Sequence, residues 1–344
     1  QAVQKRAIEF EQRNDFYDPA KAVEGAKELI NKGIFAMVLS GGTATTKAVL
    51  PVLAENKIPA FGFYTGAGFT GPGDVLNFRA SYAQEVETAV ETGLTTGIKP
   101  TEVCAYVQND AYGMSGLQGF RTALAKRSGS EAIVAKLDQI LALSGDNPER
   151  NNLGPVGVYQ RDTTSARPGY LSLKKWEADS GNRCRLVATT ALFDQAAEFM
   201  GYARYKNEPW IFSSVSAAAG DRLAVLLKGK NVADRVIVTQ VVPPLDSPLP
   251  IVLEARKALA NTLNTISLES FIVGRLFVAI MQAIDGPLTR ENFLKAARRQ
   301  PYDIGGVKVD FTTDNQGSDY VGLTLLRDGQ FVPVTSQEAA VLFK

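Results

Sequence analysis

At 344 residues the chain is longer than one hydrophobic core usually organises, so two domains of ordinary size are expected. The composition, 45% hydrophobic and 21% charged, is globular, and the absence of an apolar run long enough to cross a bilayer argues against a membrane-embedded role. Lys and Arg number 37 against 36 Asp and Glu, with no basic stripe, so nucleic acid is not an expected partner.

The absence of histidine excludes Ser-His-Asp and Cys-His catalytic systems and removes the commonest ligand of catalytic zinc. Cys104 and Cys184 are too few for a disulfide scaffold or a four-cysteine metal site, and two buried thiols are the simplest interpretation. They precede strands that would be neighbours, but a bridge between adjacent parallel strands is geometrically awkward, so we predict none. No cofactor or metal site is predicted.

The first part of the chain consists of strand-helix units. Strands are predicted at residues 7–12, 35–39 and 58–63. Asp18-Pro19 opens a helix that continues to Ile30, and the turn Ser40-Gly41-Gly42-Thr43 opens another. The third strand leads into a glycine-rich loop over residues 64–73, which is the strongest local indication of function.

After residue 100 the pattern restarts, which indicates a second lobe. The predicted strands are residues 103–108, 156–160, 185–189, 210–212 and 235–239. Helices are predicted between them, including residues 171–179 and one from Asp194, and this alternation is typical of a doubly wound parallel sheet. A proline-rich connector follows at residues 242–250, then helices at 253–259 and 268–284, and the tail is predicted to form strands and a hairpin.

A series of motifs resembles the type I periplasmic binding proteins of branched-chain amino acid ABC transporters. The motifs are Asp18-Pro19-Ala20-Lys21-Ala22, the glycine-rich strand end at residues 40–46, Asp110-Ala111-Tyr112-Gly113, and residues 305–311. Each motif alone is weak, but the series is specific, and the resemblance covers essentially the whole chain.

The resemblance implies two α/β lobes with doubly wound parallel sheets, joined by three hinge crossovers, with the ligand in the cleft between them. Lobe 1 would comprise residues 1–80 and 243–312, and lobe 2 residues 81–242 and 313–344. The hinges would lie near residues 79–82, 241–244 and 310–317. Similar proteins begin with a further strand and helix of roughly thirty residues, so the sequence is expected to start after that unit, and any signal peptide would precede Gln1.

Two loops of lobe 1 are candidate ligand-binding loops. Gly42 and Thr43 place backbone N–H groups at a helix start, where a carboxylate would be favoured; a glycine turn needed only for tight packing is the alternative. Four residues match the second ligand loop of the family, for which a flexible surface loop is the alternative. These residues are Tyr64, Thr65, Gly66 and Ala67.

In lobe 2, Tyr112 matches a family tyrosine that faces the ligand, although a buried core tyrosine is the alternative. Phe193 and Asp194 follow a strand and should line the opposite wall, and Asp194 is equally well explained as a helix N-cap. Residues 213–216 should line the same wall.

The sequence departs from the amino-acid-binding members of the family at the position that would bind the ammonium group of the ligand. Val215 occupies the position where amino-acid-binding members place a carboxylate, so an amino acid ligand would need another acid. The candidate acids are Asp110, Asp194 and Glu269. Tyr17 and Gly42 occupy positions where some members carry a disulfide, and Tyr17 is expected to project toward the ligand instead.

The predicted function is that of a non-catalytic, extracytoplasmic substrate-binding protein of an ABC uptake transporter, which binds an amino acid, amide or carboxylic acid by clamp closure. A membrane permease and the small ligand are the expected partners, and a monomer is expected. A ligand-sensing ectodomain or effector domain is the alternative. An enzyme is disfavoured because no Walker loop, G-x-G-x-x-G motif or nucleophile-base pair is present. A periplasmic or otherwise extracytoplasmic location is expected.

Overall fold

The computed structural model describes residues 2–344. The strands are β1 (Ala2–Val3), β2 (Arg6–Ala7), β3 (Met37–Val38), β4 (Ala60–Phe61), β5 (Val75–Leu76), β6 (Val103–Gln108), β7 (Val156–Tyr159), β8 (Leu186–Thr190), β9 (Ile211–Ser214), β10 (Val236–Gln240), β11 (Tyr302–Ile304), β12 (Val307–Val309), β13 (Gly322–Arg327) and β14 (Gln330–Val334). The helices are α1 (Pro19–Asn31), α2 (Thr43–Glu55), α3 (Tyr82–Leu94), α4 (Ala111–Ala125), α5 (Glu131–Ala142), α6 (Arg167–Ser180), α7 (Phe193–Tyr205), α8 (Gly220–Gly229), α9 (Pro250–Leu259), α10 (Thr265–Gln282), α11 (Arg290–Arg299) and α12 (Ser336–Ala340).

The chain divides into two compact units. Unit 1 comprises Gln1–Ala80 and Val242–Tyr320, and unit 2 comprises Ser81–Val241 and Val321–Lys344. The chain therefore crosses between the units for the third time after Tyr320. The sequence analysis placed this crossing after residue 312. Residues 315–317 belong to unit 1 because Asn77 N donates to Asn315 O at 2.8 Å and Gly317 N donates to Asn77 O at 2.7 Å.

Unit 1 contains a parallel sheet in the order β3-β4-β5, in which Met37 pairs with Ala60 and Ala60 with Val75. The first helix begins as predicted, because Asp18 accepts hydrogen bonds from the N–H groups of Ala20 and Lys21 and Pro19 is the first helical residue. Helices α1 and α2 pack together, and their apolar residues form a core with β4. That core comprises Ala22, Ala26, Val49, Leu53, Ile58, Ala60 and Phe63.

The strand predicted at residues 7–12 is wrong beyond Ala7. Arg6 and Ala7 form a short antiparallel pair with Ala2 and Val3, and residues 8–15 have no regular structure. No described strand lies beside residues 8–12, so the apolar side chain of Phe10 remains 66% exposed.

The second part of unit 1 contributes α9 to α11 and the β11-β12 pair. Helix α10 is long and apolar enough, by length and composition alone, to cross a membrane. In the structure it packs as a core helix, since Leu268, Ile272, Val273, Leu276 and Ile280 are buried. The expectation that no segment could cross a bilayer is therefore not met by composition, but the core helix of a globular protein passes the same test, and a single such helix is weak evidence of a membrane span.

Unit 2 is built on a seven-stranded sheet in the order β14-β13-β10-β9-β8-β6-β7. The five strands from β10 to β7 are parallel, and β13 and β14 form an antiparallel hairpin at the edge, as the tail of the sequence predicts. All six residues of β6 are buried, which requires cover on both faces of the sheet. One face carries α6, α7 and α8, while α3 and α4 pack together and contact β6 and β8. The predicted α/β class with parallel sheets is confirmed.

The prediction that Cys104 and Cys184 remain unlinked is wrong, since they form a disulfide with Cα atoms 5.7 Å apart. Cys104 lies in β6 opposite Val187 of β8. Cys184 lies before β8, where the backbone is held by Arg185 N donating to Glu102 O at 2.7 Å. The geometric objection to bridging paired parallel strands does not apply, because Cys184 is outside the ladder.

We expect loss of this disulfide to lower the free energy of unfolding by about 2–5 kcal/mol, since it closes a long loop of the unfolded chain. The sequence separation is 80 residues. The Cys104→Ala/Cys184→Ala variant should show this loss in urea titration. Fully reduced wild type serves as control and should match the variant. Two titratable thiols in denatured, unreduced wild type would contradict the bridge.

Candidate functional site

The two predicted ligand loops of unit 1 lie side by side, because the pairing of β3 and β4 continues past their ends. Gly41 and Tyr64 form an isolated parallel bridge. Tyr64 N donates to Ser40 O at 2.6 Å, and Gly42 N donates to Tyr64 O at 3.2 Å. Residues that are far apart in the sequence are thus joined by backbone hydrogen bonds at one edge of the sheet.

A buried pair of hydroxyl groups links the same two loops. Thr43 Oγ1 lies 2.7 Å from Thr65 Oγ1, and both residues are buried. Ala67 N donates to Thr65 Oγ1 at 3.3 Å, and Asn77 Nδ2 donates to Thr65 O at 2.9 Å. Thr65 and Gly66 are buried, while Tyr64 and Ala67 are half-buried, so the start of this loop is only partly exposed.

The start of α2 presents hydrogen-bond donors. Gly42 is its N-cap with φ of 86°, and no side chain caps the first turn. Thr46 Oγ1 is buried and has no hydrogen-bond partner among the described residues. Uncapped N–H groups and the positive end of the helix dipole favour an anion, and the nearby hydroxyl groups can add further donors.

Tyr17 lies against this helix start. A Cβ atom added to Gly42 would be 2.6 Å from Tyr17 Cε2, so the ring packs on the glycine. Tyr17 has φ of 61° and its N–H donates to Asp15 Oδ1 at 2.8 Å, which holds the ring at this position. The structure therefore places Tyr17, Gly42 and Thr43 together.

A buried ion pair lies beside the second loop. Arg79 Nη1 is 3.4 Å from Glu269 Oε1, and both side chains are almost fully buried. The Arg79 guanidinium is 5.1 Å from the centroid of the Tyr64 ring. Sequence reasoning placed Arg79 at a hinge but assigned it no role at the site, although an arginine between the apolar residues Phe78 and Ala80 is a detectable signal.

In unit 2 the candidate residues follow neighbouring strands. The chain places β7 on one side of β6 and β8 on the other, so the sheet has a topological switch point between β6 and β8. Asp110 and Tyr112 follow β6, while Phe193 and Asp194 follow β8. Open α/β sheets bind ligands at the carboxyl ends of strands at such a point.

Asp110 is the N-cap of α4 and is held by protein donors. Tyr112 N donates to Asp110 Oδ1 at 2.9 Å, and Gln108 Nε2 donates to Asp110 Oδ2 at 2.7 Å. Burial raises the pKa of Asp110, while the hydrogen bonds from Gln108 and from the backbone of Tyr112 and Gly113 oppose that rise.

Tyr112 is buried and its hydroxyl donates to Ala191 O at 3.2 Å. Its ring meets the Tyr82 ring edge-on, with centroids 5.1 Å apart. Both contacts fit the alternative of a core tyrosine, and they also fix the ring between the loops that follow β6 and β8.

Phe193 and Asp194 begin α7, and Arg222 contacts both. The Arg222 guanidinium is 4.2 Å from the Phe193 ring centroid, and Arg222 Nη2 is 3.9 Å from Asp194 Oδ2. The N-cap of α7 is Leu192, so Asp194 is a first-turn acid and not the N-cap.

Val215 is buried after β9, and the next residue binds a carboxylate that sequence reasoning missed. Ser216 N donates to Glu85 Oε2 at 2.7 Å, and Ser216 Oγ donates to Glu85 Oε1 at 2.9 Å. Thr239 Oγ1 also donates to Glu85 Oε2. Glu85 is fully buried in α3, one turn after the Ser81 N-cap.

Among residues 2–344 no group of three or more His, Cys, Asp or Glu side chains is arranged to hold a metal ion. Two open grooves on unit 1 have volumes of about 590 Å³ and about 610 Å³, and neither is lined by a predicted ligand residue. At the first groove Arg298 donates to Gly73 O at 2.8 Å and to Asn315 Oδ1 at 3.0 Å. These bonds hold the glycine-rich loop in place.

We expect Gly42→Ala to destabilise the protein by at least about 1–2 kcal/mol, because its positive φ disfavours a Cβ atom. The contact with the Tyr17 ring adds to this loss. Gly41→Ala is the matched control, since a Cβ atom there meets nothing within 4 Å, and it should change stability by less than about 0.5 kcal/mol. Equal losses for the two variants in urea titration would contradict this account of the turn.

Comparison with known proteins gives a consistent result. The family model described as "Periplasmic binding protein" matches residues 1–139. No curated protein sequence matches the chain. A possible leucine/isoleucine/valine-binding protein from Rhodopirellula baltica has a similar structure, with a TM-score of 0.80 and 28% identity over 94% of this chain and 84% of the other.

Two further solved structures, each with a bound ligand, have a fold similar to that of this chain at lower sequence identity. A branched-chain amino acid ABC transporter protein from Thermus thermophilus with bound valine has a TM-score of 0.69 and 16% identity, over 94% of this chain and 83% of the other. A solute-binding protein of an ABC transporter from R. palustris, in complex with 4-hydroxybenzoate, has a TM-score of 0.67 and 18% identity, over 92% and 82%. The resemblance predicted from the sequence is confirmed: the chain has the fold of the type I periplasmic binding proteins of ABC transporters, and residues 1–139 match the periplasmic binding protein family.

Proposed function

We propose that this chain is the extracytoplasmic substrate-binding protein of an ABC uptake transporter and catalyses no reaction. It binds a small organic solute that carries a carboxylate or an equivalent acceptor group, such as an amino acid, a related carboxylic acid or an amide. The observation that carries this proposal is the backbone pairing of Gly41 with Tyr64, which joins two donor-bearing loops at one edge of the unit 1 sheet.

The chemistry of these loops supports an anionic or strongly accepting ligand group. The N–H groups that follow Gly42 have no side-chain cap, and Thr43 and Thr65 supply hydroxyl groups. Such donors bind a carboxylate at a helix start without a charged side chain. The loops after β6, β8 and β9 of unit 2 would contact the rest of the solute, and the lobes would close on it, as the resemblance implies.

The bridge between Cys104 and Cys184 supports an oxidising compartment such as the periplasm or the cell exterior. The ligand-loaded monomer would be recognised by a membrane permease. Homologous structures with bound valine and with bound 4-hydroxybenzoate support a solute of similar size.

A thermal-shift screen of the protein against amino acids, carboxylic acids, amides and polyamines tests this proposal. A ligand present at a hundred times its Kd stabilises by about 2.7 kcal/mol and should raise Tm by about 2–4 °C for a chain of this size. Thr43→Val should reduce that rise, because it removes a donor from the paired loops. Thr122→Val, at a half-buried position of α4 in unit 2, is the matched control and should leave the rise unchanged.

The ligand-induced change in Tm is the relevant quantity, because Thr43→Val also breaks the hydroxyl pair with Thr65 and lowers the Tm of the free protein. If no small molecule in a broad library raises the Tm of wild type, the proposed function is wrong.

A further inference from the structure

We infer that Asn315 is a positioning residue for the second ligand loop of unit 1. It fixes the glycine-rich segment that follows Ala67 to the last part of unit 1, shortly before the chain crosses to unit 2 after Tyr320. This inference rests on the proposed function and names a further residue on which binding at the unit 1 loops depends.

The glycine-rich loop has little support of its own. Residues 65–74 form no helix or strand, and Gly68 and residues 71–74 are exposed. Among residues 2–344, no backbone group of residues 68–73 is hydrogen-bonded to another backbone group. A glycine-rich segment without such bonds loses much conformational entropy when it is ordered. The order of this loop therefore depends on side chains from elsewhere in unit 1.

Asn315 supplies this support with its buried side chain. Its Nδ2 donates to Gly71 O at 2.6 Å and lies 3.5 Å from Gly73 O, while its Oδ1 accepts from Arg298 Nη2 at 3.0 Å. The orientation of the amide is fixed, because a guanidinium can only donate and the atom that faces it must be the oxygen. Arg298 also donates to Gly73 O at 2.8 Å. Together the two side chains hold the exposed end of the loop.

The backbone of Asn315 fixes the other end of the loop through Asn77. Asn77 N donates to Asn315 O at 2.8 Å, and Asn77 Nδ2 donates to Thr65 O at 2.9 Å. Thr65 is the residue whose hydroxyl group pairs with that of Thr43. Asn315 therefore holds residues 65–73 at both ends, directly at Gly71 and through Asn77 at Thr65.

This position needs an asparagine, because it requires a donor toward the loop and an acceptor toward Arg298. Aspartate has nearly the same shape and keeps the acceptor, but its carboxylate cannot donate to a carbonyl group. A loop that has lost this bond must be ordered when the solute binds. Ordering even one backbone residue costs an amount equivalent to roughly tenfold in affinity.

Asn315→Asp tests the inference, and Asn292→Asp is the matched control. Asn292 Nδ2 donates to Pro287 O at 2.9 Å at the start of α11, so the control loses an equivalent bond elsewhere in unit 1. Asn315→Ala, which removes the donor without adding a charge, is a second variant with the same expected effect. Urea titration checks that each variant unfolds cooperatively.

The first measurement is ¹⁵N relaxation of the free protein. We expect the backbone order parameters of Gly71 and Gly73 to fall from about 0.85 in wild type to below about 0.6 in the Asn315 variants, and to stay unchanged in Asn292→Asp. Gly317 should keep its wild-type value in Asn315→Asp, since its N–H still donates to Asn77 O. This combination separates a loosened loop from a general loss of stability.

The second measurement is calorimetry of solute binding. Leucine, isovalerate and isovaleramide are the first probes, followed by the other compounds of the thermal-shift screen. We expect Asn315→Asp to bind the solute at least about tenfold more weakly than wild type, and Asn292→Asp to bind it within about twofold of wild type.

Two results would overturn the inference and leave the proposed function standing. One is a loop that is as ordered in Asn315→Asp as in wild type, or equally loosened in Asn292→Asp. The other is a solute that Asn315→Asp and wild type bind equally tightly. If no compound of the screen binds wild type, the proposed function fails and the positioning role fails with it.

Discussion

The candidate site of unit 1 depends on one constraint, the parallel register of β3 and β4. Because Met37 pairs with Ala60, the strands end at the same level, and pairing continues through the bridge between Gly41 and Tyr64. The hydroxyl pair of Thr43 and Thr65 then forms across the two loops. A shift of this register would separate the start of α2 from the second loop. The N–H and hydroxyl donors of the two loops would then no longer lie together.

Buried charge imposes the second constraint, and the protein satisfies it locally within each unit. Arg79 is held by Glu269 and by the Tyr64 ring, and Glu85 is held by the donors of Ser216 and Thr239. Buried charges persist only with such partners. Glu269 and Glu85 therefore each have partners within their own unit, whereas the first turn of α2 has no side-chain cap.

Sequence patterns predicted the unit 2 strands well, because strands covered on both faces read as continuous apolar runs, and β6 has the predicted bounds of residues 103–108. The turns that follow β3 and β4 were also located, since glycines at strand ends mark turns. The disulfide was considered and wrongly rejected, because the position of Cys184 outside the ladder of β8 could not be read from the sequence. Glu85 and Arg79 were missed because their partners lie in distant segments of the chain. Helix α3 was overlooked although the capping box of Ser81 and Gln84 is visible in the sequence.

The central claim is that the paired loops of unit 1 hold the carboxylate of the ligand. Backbone amide NMR of ¹⁵N-labelled protein, titrated with a carboxylate that binds, tests it most directly. The account predicts that Thr43 and the following amides of the first turn of α2 show large shifts, as N–H groups at this uncapped helix start gain an acceptor. Saturable binding that leaves these amides unshifted would contradict the account.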